Sequence, residues 1–385
     1  MHNTIYYKRT ARLISIACGF LFTIFTVLYL YVMQSGLLAA AQHLLSDGFT
    51  TYNAGWGTVI ITVLLLLLPT GLKKLLKLPL RFTALYYFFP SLLLGVLTSL
   101  VPDGEGGVQC DLSWWALILY CVLYFSLLWV ILHYPDFSKV DKKGICSYLW
   151  PNFLLLFLLF LMTASLGYTS DVYHYRLRAE QLVVDGRFKE ALEVGKSSLQ
   201  TDRNLSAIRA YALSREGVLG ERLFEYPQLQ GSEGLLPESG DTIYTQKWTD
   251  SLYVHLGARP GKSIKYAKDF FRLLSVRPCA TSVVKDYLLC AYLLDGDLDS
   301  FVKILPVYYQ IDENLPRYYK EALVLYGRMH INPSVVFHDS VIEENFGDFQ
   351  NLESQHKIEI ERANYCRTMF GTTYWWYYFY GRTPH

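Results

Sequence analysis

The sequence predicts an all-α protein: a five-helix transmembrane bundle over residues 1–168, then a tetratricopeptide-like α-solenoid over residues 171–385. Three observations carry this. Five uncharged apolar runs of membrane-spanning length follow one another in the first half. Polar, amphipathic segments broken by Gly and Pro fill the second half. Within that half, glycines recur at near-regular intervals, as they do in stacked helix pairs.

The two halves differ in charge. Residues 1–168 carry 10 Lys and Arg against 6 Asp and Glu, and residues 169–385 carry 25 against 28, so net charges of +4 and −3 combine to +1. Neither half is basic enough for an electrostatic nucleic-acid surface, which removes nucleic acid as a partner.

The apolar runs are residues 13–33, 55–72, 82–101, 113–132 and 148–168. Each is close to the roughly 20 residues that a spanning helix needs. The first run follows Lys8, Arg9 and Arg12, as in a signal peptide, but its apolar core is too long for one and is read as retained. None of the five runs contains Asp, Glu, Lys, Arg or His, which argues against ion or proton transport. Polar residues within them, such as Ser15, Thr23, Thr26 and Asn152, read as helix–helix contacts.

Orientation follows from the loops. Lys8, Arg9 and Arg12 precede the first run. Lys73, Lys74, Lys77 and Arg81 lie between the second and third, and Lys139, Lys142 and Lys143 between the fourth and fifth. The loops 34–54 and 102–112 contain no Lys or Arg. The positive-inside rule therefore places the N-terminus in the cytoplasm and, after five spans, the second half outside it. Membrane lipid is the first partner this implies.

In the second half, Gly186, Gly220, Gly261 and Gly296 each open a charged or polar helical segment, at intervals of 34, 41 and 35 residues. The first unit is the clearest. It sets Ala179, Leu182 and Val183 on one helix and Phe188, Ala191 and Leu192 on the next. The longest interval holds residues 227–247, rich in Gly, Ser and acids, which reads as a surface loop. A further unit covers residues 317–330, a polar helix lies around 349–369, and the aromatic tail TTYWWYYFYG reads as a cap on the last helices.

The run NLSAIRAYALSREGVLGERLFEYPQ, with LGERLF at Leu219–Phe224, GLL at Gly234–Leu236 and the TYW of residues 373–375, resembles an uncharacterised bacterial family. Its members are polytopic membrane proteins with a tetratricopeptide-like extracytoplasmic domain. The resemblance covers about residues 170–380 and implies a multi-pass protein of the Gram-negative inner membrane with a periplasmic C-terminal domain. It brings no activity and no functional residues.

Motifs that suggest chemistry have plainer readings. GARPGKS at 257–263 has one residue too few between its glycines for a phosphate loop and follows a helical segment, so nucleotide is not expected. His338, Asp339 and Ser340 match a catalytic triad in composition only, because adjacent residues cannot supply its geometry; a surface or helix-cap role suits them better. No HExxH and no His/Cys ligand set occurs, so neither a metal nor a cofactor is expected. Cys279, Cys290 and Cys366 are the candidates for a disulfide, and the sequence does not choose a pair.

One group is more serious: His43, Asp47, Asp103, Glu105 and Asp111, all in the loops that carry no basic residue. Membrane enzymes acting on lipid-linked sugars place carboxylates or His at such a boundary. The plainer reading is a solvated outer loop. Two functions follow. The first is a membrane-anchored scaffold for a protein or peptide outside the cytoplasm. The alternative is an envelope glycan- or lipid-modifying enzyme using those outer-loop residues. The first is preferred, because no catalytic constellation accompanies the repeats.

Overall fold

A computed structural model describes residues 2–46, 49–102, 108–134, 146–238, 246–261 and 264–382. The protein divides into two compact units, the first ending at Ser170 and the second beginning at Asp171.

In the first unit α1 (His2–Leu28) runs on through a π-helical turn at Tyr29–Met33. Next come α2 (Ser35–Leu45) and α3 (Ala54–Leu76), the latter capped by Asn53, whose side chain accepts from the Trp56 amide. A 3-10 segment (Leu80–Tyr87) leads into α4 (Phe88–Leu97). Strands β1 (Leu100–Pro102) and β2 (Val108–Cys110) pair antiparallel, with Leu100 opposite Cys110. Helices α5 (Trp114–His133) and α6 (Cys146–Leu166) complete the unit. Five segments are long and apolar enough to cross a membrane: Arg9–Met33, Ala54–Leu76, Leu80–Leu97, Trp114–His133 and Cys146–Leu166. The protein is therefore membrane-embedded.

These segments correct the sequence reading in three places. The third span is not one helix over 82–101. It begins as eight residues of 3-10 helix and ends at Leu97, where the Thr98 and Ser99 hydroxyls turn back onto the Leu94 and Val96 carbonyls. Residues 100–101 belong to a strand. The loop 34–54 is largely a helix, α2, with Leu37, Leu38, Ala40 and Ala41 buried. The spans also take in terminal ionisable groups. Lys73 sits in the last turn of α3, donates to the Ser15 hydroxyl, and lies 6.0 Å from the Tyr86 ring.

The third span is the interior one, 61% buried against 17% for α3 and α5. Its irregular backbone survives there because Asn152 of α6 satisfies it. The Asn152 carboxamide accepts from the Ala84 amide (2.7 Å) and donates to the Leu80 (2.8 Å) and Tyr148 (2.7 Å) carbonyls. Backbone groups in lipid have no water to turn to, so a side chain must supply the missing partners. Farther along, the Thr163 hydroxyl donates to Ser91 O at 3.1 Å, and Gly95 lets α4 approach Leu166.

The second unit has helices and connecting turns, with no strand among its described residues. It comprises α7 (Asp171–Val184), α8 (Phe188–Glu193), α9 (Arg203–Arg215), α10 (Leu219–Arg222), α11 (Gln246–Leu256), α12 (Ala267–Ser275), α13 (Val284–Asp295), α14 (Leu298–Tyr308), α15 (Arg317–Met329), α16 (Ser340–Gln355), α17 (Glu359–Phe370) and α18 (Tyr374–Trp376). One apolar core joins them, and Ala179, Leu182, Val183, Ala191 and Leu192 are buried in it, with Phe188 packed against its edge.

Turns with positive φ fall at Gly186, Gly217 and Gly296, between α7 and α8, α9 and α10, and α13 and α14. Gly220 does not have that backbone, so this one of the aligned glycines marks something other than the turn. Segment 227–247 is also not simply a surface loop. Its 3-10 turn at Gly231–Leu235 is wedged against α9, α12 and α13, with Leu235 and Leu236 buried. Glu233 accepts from the Ala267 amide at the start of α12 and pairs with Arg203 at 2.9 Å, while Asp295 accepts from Ser232. The expected helix around 349–369 is two helices, α16 and α17, with a break at His356–Ile358.

Candidate functional site

The aromatic tail organises the second unit. Thr373 caps α18, accepting from the Trp376 amide and donating to Phe370 O. The backbone then continues through a π-helical turn at Tyr377–Gly381. Three tail residues cover the exit of α13. Tyr374 Oη donates to Leu293 O (3.2 Å), Tyr377 Oη to Leu294 O (2.8 Å) and Arg382 Nη1 to Asp295 O (3.2 Å). The last carbonyls of a helix have no partner inside it, so these three donors together cap the helix end. The backbone leaves α13 through Gly296 at φ 71°, where a Cβ would collide with the Arg382 guanidinium. Phe224 packs edge-on to Tyr318 and Tyr374, at 4.9 and 5.2 Å.

Glu321 of α15 anchors the same tail. Its carboxylate, 3% exposed, takes the Arg317 guanidinium at 2.7 Å and the Tyr374 amide at 2.6 Å. Burial pushes the Glu321 carboxyl above its usual range, with Arg317 and the Tyr374 N–H pulling the other way. A mixed-charge hollow of about 500 Å³ adjoins it, lined by Lys320, Asp339 and Glu221. Lys320 already donates to Glu313 O, and Glu221 already accepts from the Arg317 amide.

On another side of the tail lies a cleft of about 470 Å³. Its walls include Lys196, Tyr226, Leu229, Arg367, Trp376 and Tyr380. Arg367 of α17 lays its guanidinium over the Trp376 ring at 5.2 Å, and the indole N–H is held by Ala363 O. Lys196 faces Glu193 and Glu225 at 3.4 and 3.8 Å, and Glu225 also takes Arg222. Arg367 has no carboxylate within ion-pair range among the described residues.

Behind the Tyr226 wall sits a second guanidinium, Arg209, only 1% exposed. Its Nη2 donates to Val194 O and Gly195 O at 3.2 and 3.1 Å, and its plane lies 5.1 Å from the Tyr226 ring. Nε and Nη1 make no hydrogen bond among the described residues. Burial draws its pKa down, yet a guanidinium stays charged in proteins. A wider groove of about 840 Å³ lies along α7, α8 and α10, lined by Arg178, Lys189, Glu190, Glu216 and Arg222; Lys189 pairs with Glu216, Glu190 with Arg187 and Arg222 with Glu225.

Of the outer-loop residues, His43 is in the last turn of α2 and half-buried, and Asp111 is exposed just after β2, its amide donating to Ser99 O. Asp47, Asp103 and Glu105 lie outside the described residues. No group of three or more His, Cys, Asp or Glu able to hold a metal occurs among the described residues.

Asp339 takes a cap role and His338 a surface one, the two roles expected of them. Asp339 Oδ1 accepts from the Val341 and Ile342 amides at 3.2 Å, and His338 meets Glu343. Residues 257–261 form the expected turn after α11, with Gly257 at φ 94° pressed against Cys279 O; residues 262 and 263 lie outside the described residues. Cys279, Cys290 and Cys366 are free thiols, the first exposed and the others buried.

Sequence reasoning missed Arg209, which reads there as one more helix-face cation. It also missed the bond between Ser214 Oγ and His255 Nε2 (3.0 Å), which ties α9 to α11. Burial and the nearby Arg215 lower the His255 pKa, so the ring is neutral near pH 7.

No curated protein and no solved structure matches this sequence. One family does, over residues 4–259 and 266–381, nearly the whole length. The chain belongs to the family of unknown function DUF6057.

Proposed function

We propose that this protein is a membrane-anchored scaffold, whose five spans hold a tetratricopeptide-like unit that receives a protein or peptide partner in the periplasm. The observation that carries the reading is the aromatic-walled cleft of the second unit, whose rim exposes Leu199 and Leu229, at 59% and 60%. Ring edges, aliphatic side chains and a few cations suit holding a partner's side chain. Helix pairs turning at Gly186, Gly217 and Gly296 support the repeat assignment. The regularity is partial, since α10 also packs on α13 and α15, beyond its sequence neighbours.

Placement in a bacterial inner membrane, N-terminus inside, rests on the basic loops. Lys73 near the end of α3 reaches Ser15 in the first turns of the span Arg9–Met33, which supports gathering these basic ends on one face.

Two measurements test the proposal. Cys279 is exposed, so an impermeant maleimide should label it in cells whose outer membrane alone is permeabilised; labelling only after inner-membrane lysis overturns the sidedness. A photo-crosslinking residue placed at Leu229 or Lys189 should give a discrete adduct in intact cells that is absent from a probe on the lipid-facing side of α5. No adduct from either position overturns the scaffold.

A further inference from the structure

Resting on that scaffold reading, we propose that the aromatic cleft takes an acidic peptide segment. An apolar side chain sits between Leu199, Leu229 and the tail rings, and a neighbouring carboxylate meets Arg367. Three observations lead there.

The first is charge. Lys196 is already matched by Glu193 and Glu225, whereas Arg367 has, among the described residues, the Trp376 ring and no carboxylate as a partner. Arg209 stands behind Tyr226 with no carboxylate in ion-pair range among the described residues. A buried charge is poorly screened, so its field reaches the cleft and favours an anion there. The cleft wall is short of one negative charge, which the partner supplies.

The second is shape. A hollow of about 470 Å³ bounded by aromatic rings, with two exposed leucines at the rim, has the form of an anchor pocket surrounded by apolar contacts.

The third concerns the rings themselves. A saccharide would need open ring faces, but Trp376 carries the Arg367 guanidinium on one face and has Tyr380 beside it, at 6.5 Å between centroids. Tyr226 is likewise faced by Arg209. The rings therefore present edges and short apolar walls, which suit an aliphatic or aromatic side chain better than a sugar.

The test is calorimetric titration of the full-length protein in detergent. The probes are a blocked peptide with one Phe flanked by two Glu, the same peptide with Gln in place of Glu, and an oligogalacturonate. The Glu peptide should bind on the order of tenfold more tightly than the Gln peptide, and the preference should shrink with salt. Arg367→Gln should erase that preference, Arg367→Lys should restore part of it, and Leu229→Glu should weaken the Glu peptide by about tenfold. Equal affinity for the two peptides, an unaltered preference in Arg367→Gln, or tighter binding of the oligogalacturonate overturns the proposal. If the Lys189 crosslinker still captures a partner in cells while the peptides fail to bind, the scaffold stands and only this assignment falls.

Discussion

Asn152 in the membrane unit and Glu321 in the second unit perform the same task with different chemistry. Each is a buried side chain that satisfies the backbone of an irregular segment from a neighbouring helix. Asn152 does it with a neutral carboxamide, one acceptor and two donors, all engaged by backbone. Glu321 uses a carboxylate, balanced by Arg317, and holds the Tyr374 amide of the tail. In lipid a charge would be costly to bury, and a neutral amide completes the backbone without one. At the edge of a water-facing core, a carboxylate can be kept because a half-exposed arginine stands beside it. The difference teaches that the solvent around each unit selected the clamp.

The comparison can be broken most directly at Glu321. Glu321→Ala takes one carboxylate from Arg317 and leaves the buried Tyr374 N–H unpaired, and should cost about 3 kcal/mol, read by denaturant unfolding of the second unit through tryptophan fluorescence. Asn152→Ala strands the Ala84 amide and the Leu80 carbonyl and should cost less, about 2 kcal/mol in detergent, because an unfolded protein in a membrane also finds partners. A larger loss for Asn152→Ala than for Glu321→Ala would reverse the ranking. Tyr374→Phe and Tyr377→Phe each remove one hydroxyl from the exit of α13 and should cost about 1 kcal/mol apiece.

A pH series sharpens the contrast. Burial holds the Glu321 carboxyl above its ordinary range, so the folded state binds that proton more tightly than the unfolded state. The stabilisation that comes from this proton therefore grows as pH falls through the folded pKa and is absent above it. Wild type should gain relative to Glu321→Gln as pH falls toward the ordinary carboxylate range, whereas the Asn152→Ala difference should stay flat. The smallest effect is expected at Arg367→Gln, within about 0.5 kcal/mol on unfolding, because that side chain is half-exposed and unpaired with any described carboxylate.

The two units were legible in different ways. Spanning helices show in sequence because a run of about 20 uncharged residues has few other uses. The five runs overlap the five helices, and misplacement is confined to their ends and to the third. The 3-10 start of that third span was hidden, since Leu80–Tyr87 reads as ordinary apolar helix until Asn152, far along the sequence, takes the Ala84 amide. In the second unit, Gly186 and Gly296 mark turns that spacing revealed, while Gly220 was aligned in place of Gly217. The aromatic cleft was not legible, because its walls come from the segments after α8 and α10, from α17 and from the tail. Only the tail's composition hinted at it.

By itself the sequence determined an all-helical protein with five spans and a polar helical half, because hydrophobic length and periodicity are local properties. It also pointed to the cap at Asp339, which depends on residues a turn away. The tertiary structure alone decided which buried polar groups are partnered. Asn152 meets Ala84, Glu321 meets Tyr374, and Arg209 meets no carboxylate among the described residues. Those pairings join residues tens of positions apart, and only packing brings them within hydrogen-bond reach.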